Sequence, residues 1–94
     1  MQTSSKPRQV EGVFRQELDA EAVLYHSESG KVHILNKTAE RIWELCDGKH
    51  SLGDMERVIR ASFEIPEETA IADDVVETIE HFTANGLVSV EEAP

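Results

Sequence analysis

The apolar residues of this chain change their spacing at Asn36. Up to Leu35 they alternate with polar residues, as they do along a half-buried strand. After Asn36 they recur at the spacing of a helix, as Ala39, Ile42, Trp43 and Cys46. The sequence therefore predicts that a strand ends at Leu35, that a helix begins directly after it, and that the domain is built around this junction.

The predicted helix has a signal at each end. Asn36 is a preferred N-cap residue, because its side-chain oxygen can accept a hydrogen bond from the first turn, which contributes about 1 kcal/mol. Gly48 supplies the left-handed conformation that commonly ends a helix. Trp43, the single tryptophan, lies on the apolar face between them and can bury about 200 Å². We therefore expect Trp43 to anchor the core.

Length and charge limit what the chain can do. Its 94 residues suffice for one compact domain. It has 9 basic and 19 acidic residues, a net charge of −10, and no Lys or Arg after Arg60. The last third of the chain is therefore strongly anionic, and it would repel duplex DNA. No apolar stretch reaches the roughly 20 residues of a membrane span, and the N-terminus lacks the apolar core of a signal peptide, so we expect a cytoplasmic protein.

The first third of the chain predicts a tail followed by three strands. Residues 1–12 are polar and small, and they are expected to form a flexible tail. Strands are predicted over 13–18, 22–26 and 31–35, with residues 27–30 as the turn of a hairpin.

A four-residue turn fixes the pairing within this hairpin. The predicted partners are Tyr25 with Val32 and Val23 with Ile34. This apolar row is expected to pack on Trp43, whereas Lys31 and His33 are expected to point the other way.

Two more helices and a short strand are predicted after Gly48. Ser51 is the N-cap of a second helix that ends near Phe63, with the apolar face Leu52, Met55, Val58 and Ile59. Pro66, Glu67 and Glu68 have the composition of a first helical turn. The third helix then carries Ile71, Val75, Ile79 and Phe82 at helical spacing, and Asn85-Gly86 ends it.

The order of these elements predicts an α+β fold. We expect a winged helix-turn-helix-like domain over residues 13–90, in which a three-stranded antiparallel N-terminal sheet is followed by three helices. A short closing strand is predicted over residues 87–90, and residues 91–94 are expected to form an acidic tail.

No residue pattern predicts catalysis or metal binding. The four histidines, which are His26, His33, His50 and His81, have no second ligand at a known spacing. Asp73-Asp74 and Glu67-Glu68 are neighbours in sequence, but adjacent residues of a helix point in different directions and cannot share a proton. The single Cys46 is expected to be a buried, inert thiol. We therefore expect no enzymatic activity, no cofactor and no metal.

A set of short motifs resembles the PqqD family. They are Val23-Leu24-Tyr25-His26, Ser29-Gly30, Ile34-Leu35-Asn36-Lys37-Thr38-Ala39, Ile42-Trp43-Glu44-Leu45, Asp47-Gly48, Ser51-Leu52 and Gly86-Leu87-Val88. The resemblance covers residues 12 to 90. The chain departs from it at Lys37, where many relatives have Pro at the first helical position.

The resemblance implies a peptide chaperone. Members of the family bind the leader of a ribosomally made precursor peptide and present it to a modifying enzyme, often a radical S-adenosylmethionine (radical SAM) protein. The best-known case serves pyrroloquinoline quinone (PQQ) synthesis. The implied partners are a precursor peptide and such an enzyme, rather than nucleic acid or a membrane, while the precursor, the product and the oligomeric state stay open.

A sheet edge offers a physical route to this binding. If the strands lie in sequence order, residues 31–35 have unpaired main-chain groups to which a peptide strand can add, beside the third helix. The candidate contacts are Lys31, Val32, His33, Ile34, Leu35, Ala72, Val76 and Ile79. Without the resemblance, the same edge would be interpreted as an ordinary half-protected strand.

The second and third helices leave an alternative function. Their order is that of a helix-turn-helix, but a recognition helix normally meets DNA with Arg, Lys and Asn, and the third helix has no positive charge. Ser51 opens a helix, as the phosphopantetheine-bearing serine of an all-helical carrier protein does, but no Asp precedes it and the hairpin is clear. A winged-helix module that binds DNA or a protein, without delivering a peptide, is the alternative.

Overall fold

The structure is a computed structural model that describes residues 4–66 and 68–90. Its elements are β1 (Arg8–Gln9), β2 (Val13–Glu17), β3 (Ala22–His26), β4 (Val32–Leu35), α1 (Lys37–Glu44), α2 (Leu52–Ser62), α3 (Ala72–Ala84) and β5 (Val88–Ser89). Strands β2, β3 and β4 form an antiparallel sheet in that order, and β1 pairs with β5. The predicted α+β fold, with a three-stranded antiparallel sheet followed by three helices, is confirmed.

The predicted register of the hairpin is confirmed. Its pairs include Tyr25 with Val32 and Val23 with Ile34. The turn is closed by hydrogen bonds from His26 N to Lys31 O at 3.0 Å and from Gly30 N to His26 O at 2.8 Å. Gly30 has a φ of +70°, a conformation that residues with a side chain rarely adopt. The turn length and the glycine therefore set the register together.

The face of the sheet that packs on the helices is the opposite of the predicted one. Ala22 and Leu24 are buried in the core. The row expected to pack on Trp43 is exposed instead, with Tyr25 44%, Val32 57% and Ile34 66% exposed. Both rows are apolar, so alternation alone does not choose between them, and a shift of one residue in phase turns every side chain to the other face.

An ion pair connects the buried face to α1. Arg15 lies opposite Leu24 in the sheet, and its Nη1 is 3.2 Å from Oε2 of Glu40 and 3.2 Å from Oε1 of Glu44. Glu40 is buried, and the guanidinium offsets the cost of removing its carboxylate from water. His33, which was expected to point away from the core, is half-buried on this same face.

The exposed and buried rows can be distinguished by truncation. We expect Leu24→Ala to lower the free energy of unfolding by about 2 to 5 kcal/mol, because it leaves a cavity in the core. Ile34→Ala, in the exposed row, should cost less than about 1 kcal/mol. Denaturant melts measure both values, and a larger loss for Ile34 than for Leu24 would restore the face predicted from the sequence.

The first two helices have the predicted N-caps. Ala39 N donates to Asn36 Oδ1 at 2.8 Å, and Ser51 and Asp54 form a reciprocal capping box at the start of α2. α2 has Phe63 as its C-cap, as expected, but α1 ends at Leu45 rather than at Gly48. Gly48 is left-handed, with φ +78°, and lies in the following loop.

The third helix begins later than predicted. Its first residue is Ala72, and Ile71 is an N-cap without a side-chain hydrogen bond. Thr69 N donates to Pro66 O at 3.0 Å, and Arg60 of α2 donates to the main-chain oxygens of both residues. These bonds hold the segment as a loop, so Pro66 does not start the helix. Glu67, the second residue of the predicted first turn, lies outside the described residues.

Part of the expected flexible tail is an ordered strand. Residues 1–3 lie outside the described residues, but β1 pairs with β5, and Ser5 is buried. Gln9 N donates to Cys46 O at 2.8 Å, and Gln9 Nε2 donates to Trp43 O at 3.0 Å. Main-chain pairing orders this segment, and its lack of apolar side chains gave no signal of it. The prediction of a closing strand is confirmed by β5, while the predicted acidic tail at 91–94 lies outside the described residues.

The core lies between the inner face of the sheet and the three helices. Its buried apolar residues are Ala22, Leu24, Leu35, Ile42, Trp43, Leu45, Cys46, Leu52, Met55, Ile59, Ile71, Val75, Ile79, Phe82, Leu87 and Val88. Trp43 is 6% exposed, which confirms its predicted place in the core.

Cys46 is expected to be unreactive in the native protein. Burial, with a smaller contribution from the negative charge of Asp47, raises the pKa of its thiol to about 12, so almost no reactive thiolate forms near neutral pH. A thiol reagent such as iodoacetamide should label the folded chain at pH 8 far more slowly than the chain in denaturant. Mass spectrometry measures the labelling, and equal rates in the two states would contradict this prediction.

Candidate functional site

Among the described residues, β4 is an edge strand of the three-stranded sheet, with no strand paired to its outer side. Along an antiparallel strand, the main-chain groups of successive residues face alternately toward the partner and away from it. Because His26 N donates to Lys31 O, every second residue of β4 counted from Lys31 bonds to β3. The N–H and C=O groups of Val32 and Ile34 therefore point away from β3, toward the open side. This is the arrangement to which an added strand can bond.

A groove runs beside the end of this edge. Its volume is about 330 Å³, and it is lined by Ile34, Leu35, Asn36, Ala39, Glu77, Thr78, His81 and Phe82. One wall thus comes from the end of β4 and the start of α1, and the other from α3. The free main-chain groups of Ile34 therefore lie at a concave surface between two elements.

The groove combines an apolar base with a polar rim. Leu35 and Phe82 are buried core residues that reach its surface. Thr78 Oγ1 donates to Asp74 O at 2.8 Å, so this hydroxyl already has an acceptor. Among the described residues, the side chains of Glu77 and His81 have no hydrogen-bond or ion-pair partner, which leaves them available to a bound molecule. A carboxylate and an imidazole at the rim favour a ligand that offers donors or positive charge there.

The structure brings together only some of the residues predicted for the site. Ile34 and Leu35 line the groove, and Val32 has outward main-chain groups. Lys31 is exposed at the start of the strand. The main chain of His33 is turned toward β3, and its Nε2 is buried without a hydrogen-bond partner among the described residues. Whether residues 31–35 contact a peptide stays a prediction.

The three residues predicted on α3 do not line this groove. Ile79 is fully buried, Val76 packs on the core, and Ala72 is the exposed first residue of the helix. The groove instead takes Glu77, Thr78, His81 and Phe82. The prediction chose apolar positions, but the apolar face of α3 is turned to the core. Polar residues that flank this apolar face, such as Thr78 and His81, line the groove, and their helical spacing was the signal in the sequence that could have identified this wall.

Basic residues gather elsewhere in the molecule. Lys6, Arg8 and Lys49 line a second cavity of about 330 Å³ with Asp47 and Gly48, and α3 contributes none of its residues to it. Among the described residues there is no group of His, Cys, Asp and Glu that could hold a metal ion. Every helix in the described residues is too short or too polar to cross a membrane.

Duplex DNA should not bind this protein. The helix in the position of a recognition helix, α3, carries Asp73, Asp74, Glu77 and Glu80 and has no Lys or Arg, so it is poorly suited to neutralise phosphates. We expect no binding to random duplex at about 50 mM salt, where phosphate contacts are strongest. A dissociation constant in the micromolar range or below, measured by fluorescence anisotropy, would contradict this expectation.

In the described residues, the fold and the groove define a small α+β domain of winged-helix type in which the edge strand β4 ends beside the last helix. The family model of coenzyme PQQ synthesis protein D (PqqD) matches residues 21–88, which is more than half of the chain. The chain therefore belongs to the PqqD family, as its motifs indicated.

Two solved structures have the same fold. A structure of TbiB1 in complex with the TbiA(beta) leader peptide superposes with a TM-score of 0.75 at 21% identity, covering 93% of this chain and 99% of that one. A structure of lasso peptide synthetase B1 complexed with the leader peptide gives a TM-score of 0.73 at 27% identity, covering 89% and 98%. Among curated proteins, none matches the chain.

Proposed function

We propose that this protein binds the leader of a ribosomally made precursor peptide as an added strand on β4 and presents it to a modifying enzyme. The observation that carries the proposal is the pair of outward-facing main-chain groups at Val32 and Ile34, next to the groove against α3. Membership of the PqqD family supports it, and so do the two structural relatives, each of which holds a leader peptide.

In this proposal the edge of β4 and the groove contribute differently to peptide binding. Main-chain hydrogen bonds to β4 give affinity without regard to sequence, because every peptide except at proline offers the same groups. The groove gives selectivity, since an apolar side chain of the added strand can lie against Ile34, Leu35 and Ala39. A leader residue with a positive charge or a donor is favoured next to Glu77 and His81 at the rim.

The partner enzyme belongs to the same proposal. The family resemblance supports a radical SAM protein as the modifying enzyme and PQQ as the product, while one structural relative is a lasso peptide synthetase B1, which supports a lasso peptide as the alternative product. In this proposal the chain itself has no catalytic role, and it acts in the cytoplasm, where ribosomal precursors are made.

Amide chemical shifts test where a leader peptide binds. The probe is a synthetic leader peptide, chosen by searching the genes around that of this chain for a short precursor, and it is titrated into the isotope-labelled protein. We expect saturable changes concentrated in residues 31–36 and 77–82. Changes confined to residues 4–10 or to α2 would mean that the peptide docks elsewhere, and strand addition to β4 would have to be abandoned.

A charge variant tests the groove separately from the edge. Glu77→Gln keeps the shape of the rim and removes its negative charge, so leaders with a basic residue should bind about 2- to 5-fold more weakly. The matched control is Glu80→Gln, which removes the same charge from an α3 residue outside the groove. Equal affinities for the two variants, measured by calorimetry, would remove Glu77 from the proposed contact.

A further inference from the structure

The exposed face of the three-stranded sheet is an uncharged, largely apolar surface. We call it the outer face, and it consists of Phe14, Gln16, Val23, Tyr25, Val32 and Ile34. Phe14 is 61% exposed, and Tyr25, Val32 and Ile34 are similarly open to solvent. In a chain with 30% charged residues, none of the six carries a charge. Large exposed apolar side chains that adjoin one another mark interaction sites more often than singly scattered ones do.

We propose that the outer face is the docking surface for the modifying enzyme, which would present an apolar patch with a basic rim. This inference rests on the proposed function. The segments that flank the strands of this face carry charges that such a partner would meet: the acidic residues Glu11, Asp19, Glu21 and Glu28 are all exposed there, and the cations Lys31 and Lys37 are exposed at the two ends of β4. Charge complementarity of this kind favours the encounter with a basic surface.

The same charges disfavour a second copy of this chain as the occupant. A copy would bring an identical acidic rim against the first, and each chain has a net charge of −10. The leader peptide is also a poor occupant, because it bonds along the edge of β4 rather than across the face of the sheet. A folded partner with the opposite charge pattern fits the surface best.

Strand β4 connects this face with the peptide edge. Val32 and Ile34 contribute side chains to the outer face and main-chain groups to the edge. A leader strand added about 4.8 Å beyond β4 would place every second side chain on the same face and widen it. The enzyme would then contact a larger surface on the loaded domain than on the empty one. We therefore expect leader and enzyme to bind cooperatively, each raising the affinity of the domain for the other by the same factor.

The double variant Phe14→Thr, Tyr25→Thr tests the docking surface. Phe14 lies on β2 and Tyr25 on β3, so neither is on the β4 edge proposed to bind the leader, and Thr keeps a high strand propensity. The probe is a purified modifying enzyme, chosen by searching the genes around that of this chain, with binding measured by biolayer interferometry in the presence and absence of leader. We expect the variant to bind the enzyme about tenfold more weakly or worse, as for aromatic residues at the centre of an interface. Its melting curve and leader affinity should stay near those of the wild type.

The control is Phe63→Thr, which removes an exposed aromatic residue from the end of α2, and it should bind the enzyme normally. Enzyme binding by the double variant within about twofold of the wild type would overturn the proposal. So would sedimentation of the wild type as a dimer that the double variant abolishes, since a second copy would then occupy the face. If the wild type does not bind the leader but the double variant still binds the enzyme more weakly than the wild type does, the proposed function is refuted. The proposal for the docking surface is then retained.

Discussion

Replacing Trp43 with alanine is expected to lower the free energy of unfolding by about 3 to 5 kcal/mol. The indole is 6% exposed and packs in the core that joins the sheet to the helices. Its Nε1 has no hydrogen-bond partner among the described residues, so the loss comes from packing and from the cavity left behind. A domain of this size has a total stability of about 5 to 14 kcal/mol, so the variant should lose a large share of its stability.

Phe14→Ala is the matched control for this variant. It also removes an aromatic ring, but from a side chain that is 61% exposed, and it should cost less than about 1 kcal/mol. Urea melts followed by far-UV circular dichroism measure both variants, because the tryptophan signal is lost in one of them. A loss below about 1 kcal/mol for Trp43→Ala would show that the core is organised around other residues.

The local signals in the sequence predicted the connections of the fold well. The change of spacing at Asn36 locates the end of β4 and the start of α1, and the turn ending at Gly30 gives the register of the hairpin. Each of these features depends on a few adjacent residues. A cap or a tight turn requires a particular side chain or a particular φ, and that requirement is visible without the rest of the chain.

Contacts between distant segments could not be predicted in the same way. The sheet has two apolar rows, and the choice between them depends on partners such as Glu40 of α1, which meets Arg15 from across the domain. Strand β1 forms through main-chain bonds to β5, which leave no pattern in its side chains. The start of α3 depends on Arg60, whose guanidinium holds the preceding loop.

One wall of the candidate site could be predicted from the sequence, and the other could not. The free edge of β4 follows from the order of the strands, so residues 31–35 could be proposed from the sequence, with the resemblance as support. The other wall depends on how α3 is rotated against the core. Because Ile79 and Val75 are turned inward, the groove is lined by polar neighbours such as Glu77 and His81.

Proline substitutions in β4 are expected to separate folding from peptide binding. His33 bonds its N–H to β3, so His33→Pro removes a ladder hydrogen bond inside the sheet, and the ring crowds the hairpin. This variant should be unfolded or have a strongly lowered melting temperature. The N–H of Val32 points to the open edge, where proline is tolerated, so Val32→Pro should stay folded.

Leader binding then reports on the edge itself. Val32→Pro leaves an acceptor of the leader without its donor, a loss of about 1 to 3 kcal/mol, which corresponds to an affinity about 5- to 150-fold weaker. Val32→Thr is the matched control, because it keeps the N–H group and the β-branched shape, and it should bind the leader within about twofold of the wild type. Fluorescence anisotropy with a labelled leader measures all three proteins. If Val32→Pro is folded and binds the leader as tightly as Val32→Thr, the peptide does not accept a hydrogen bond from Val32, and the added strand must be placed elsewhere on the domain.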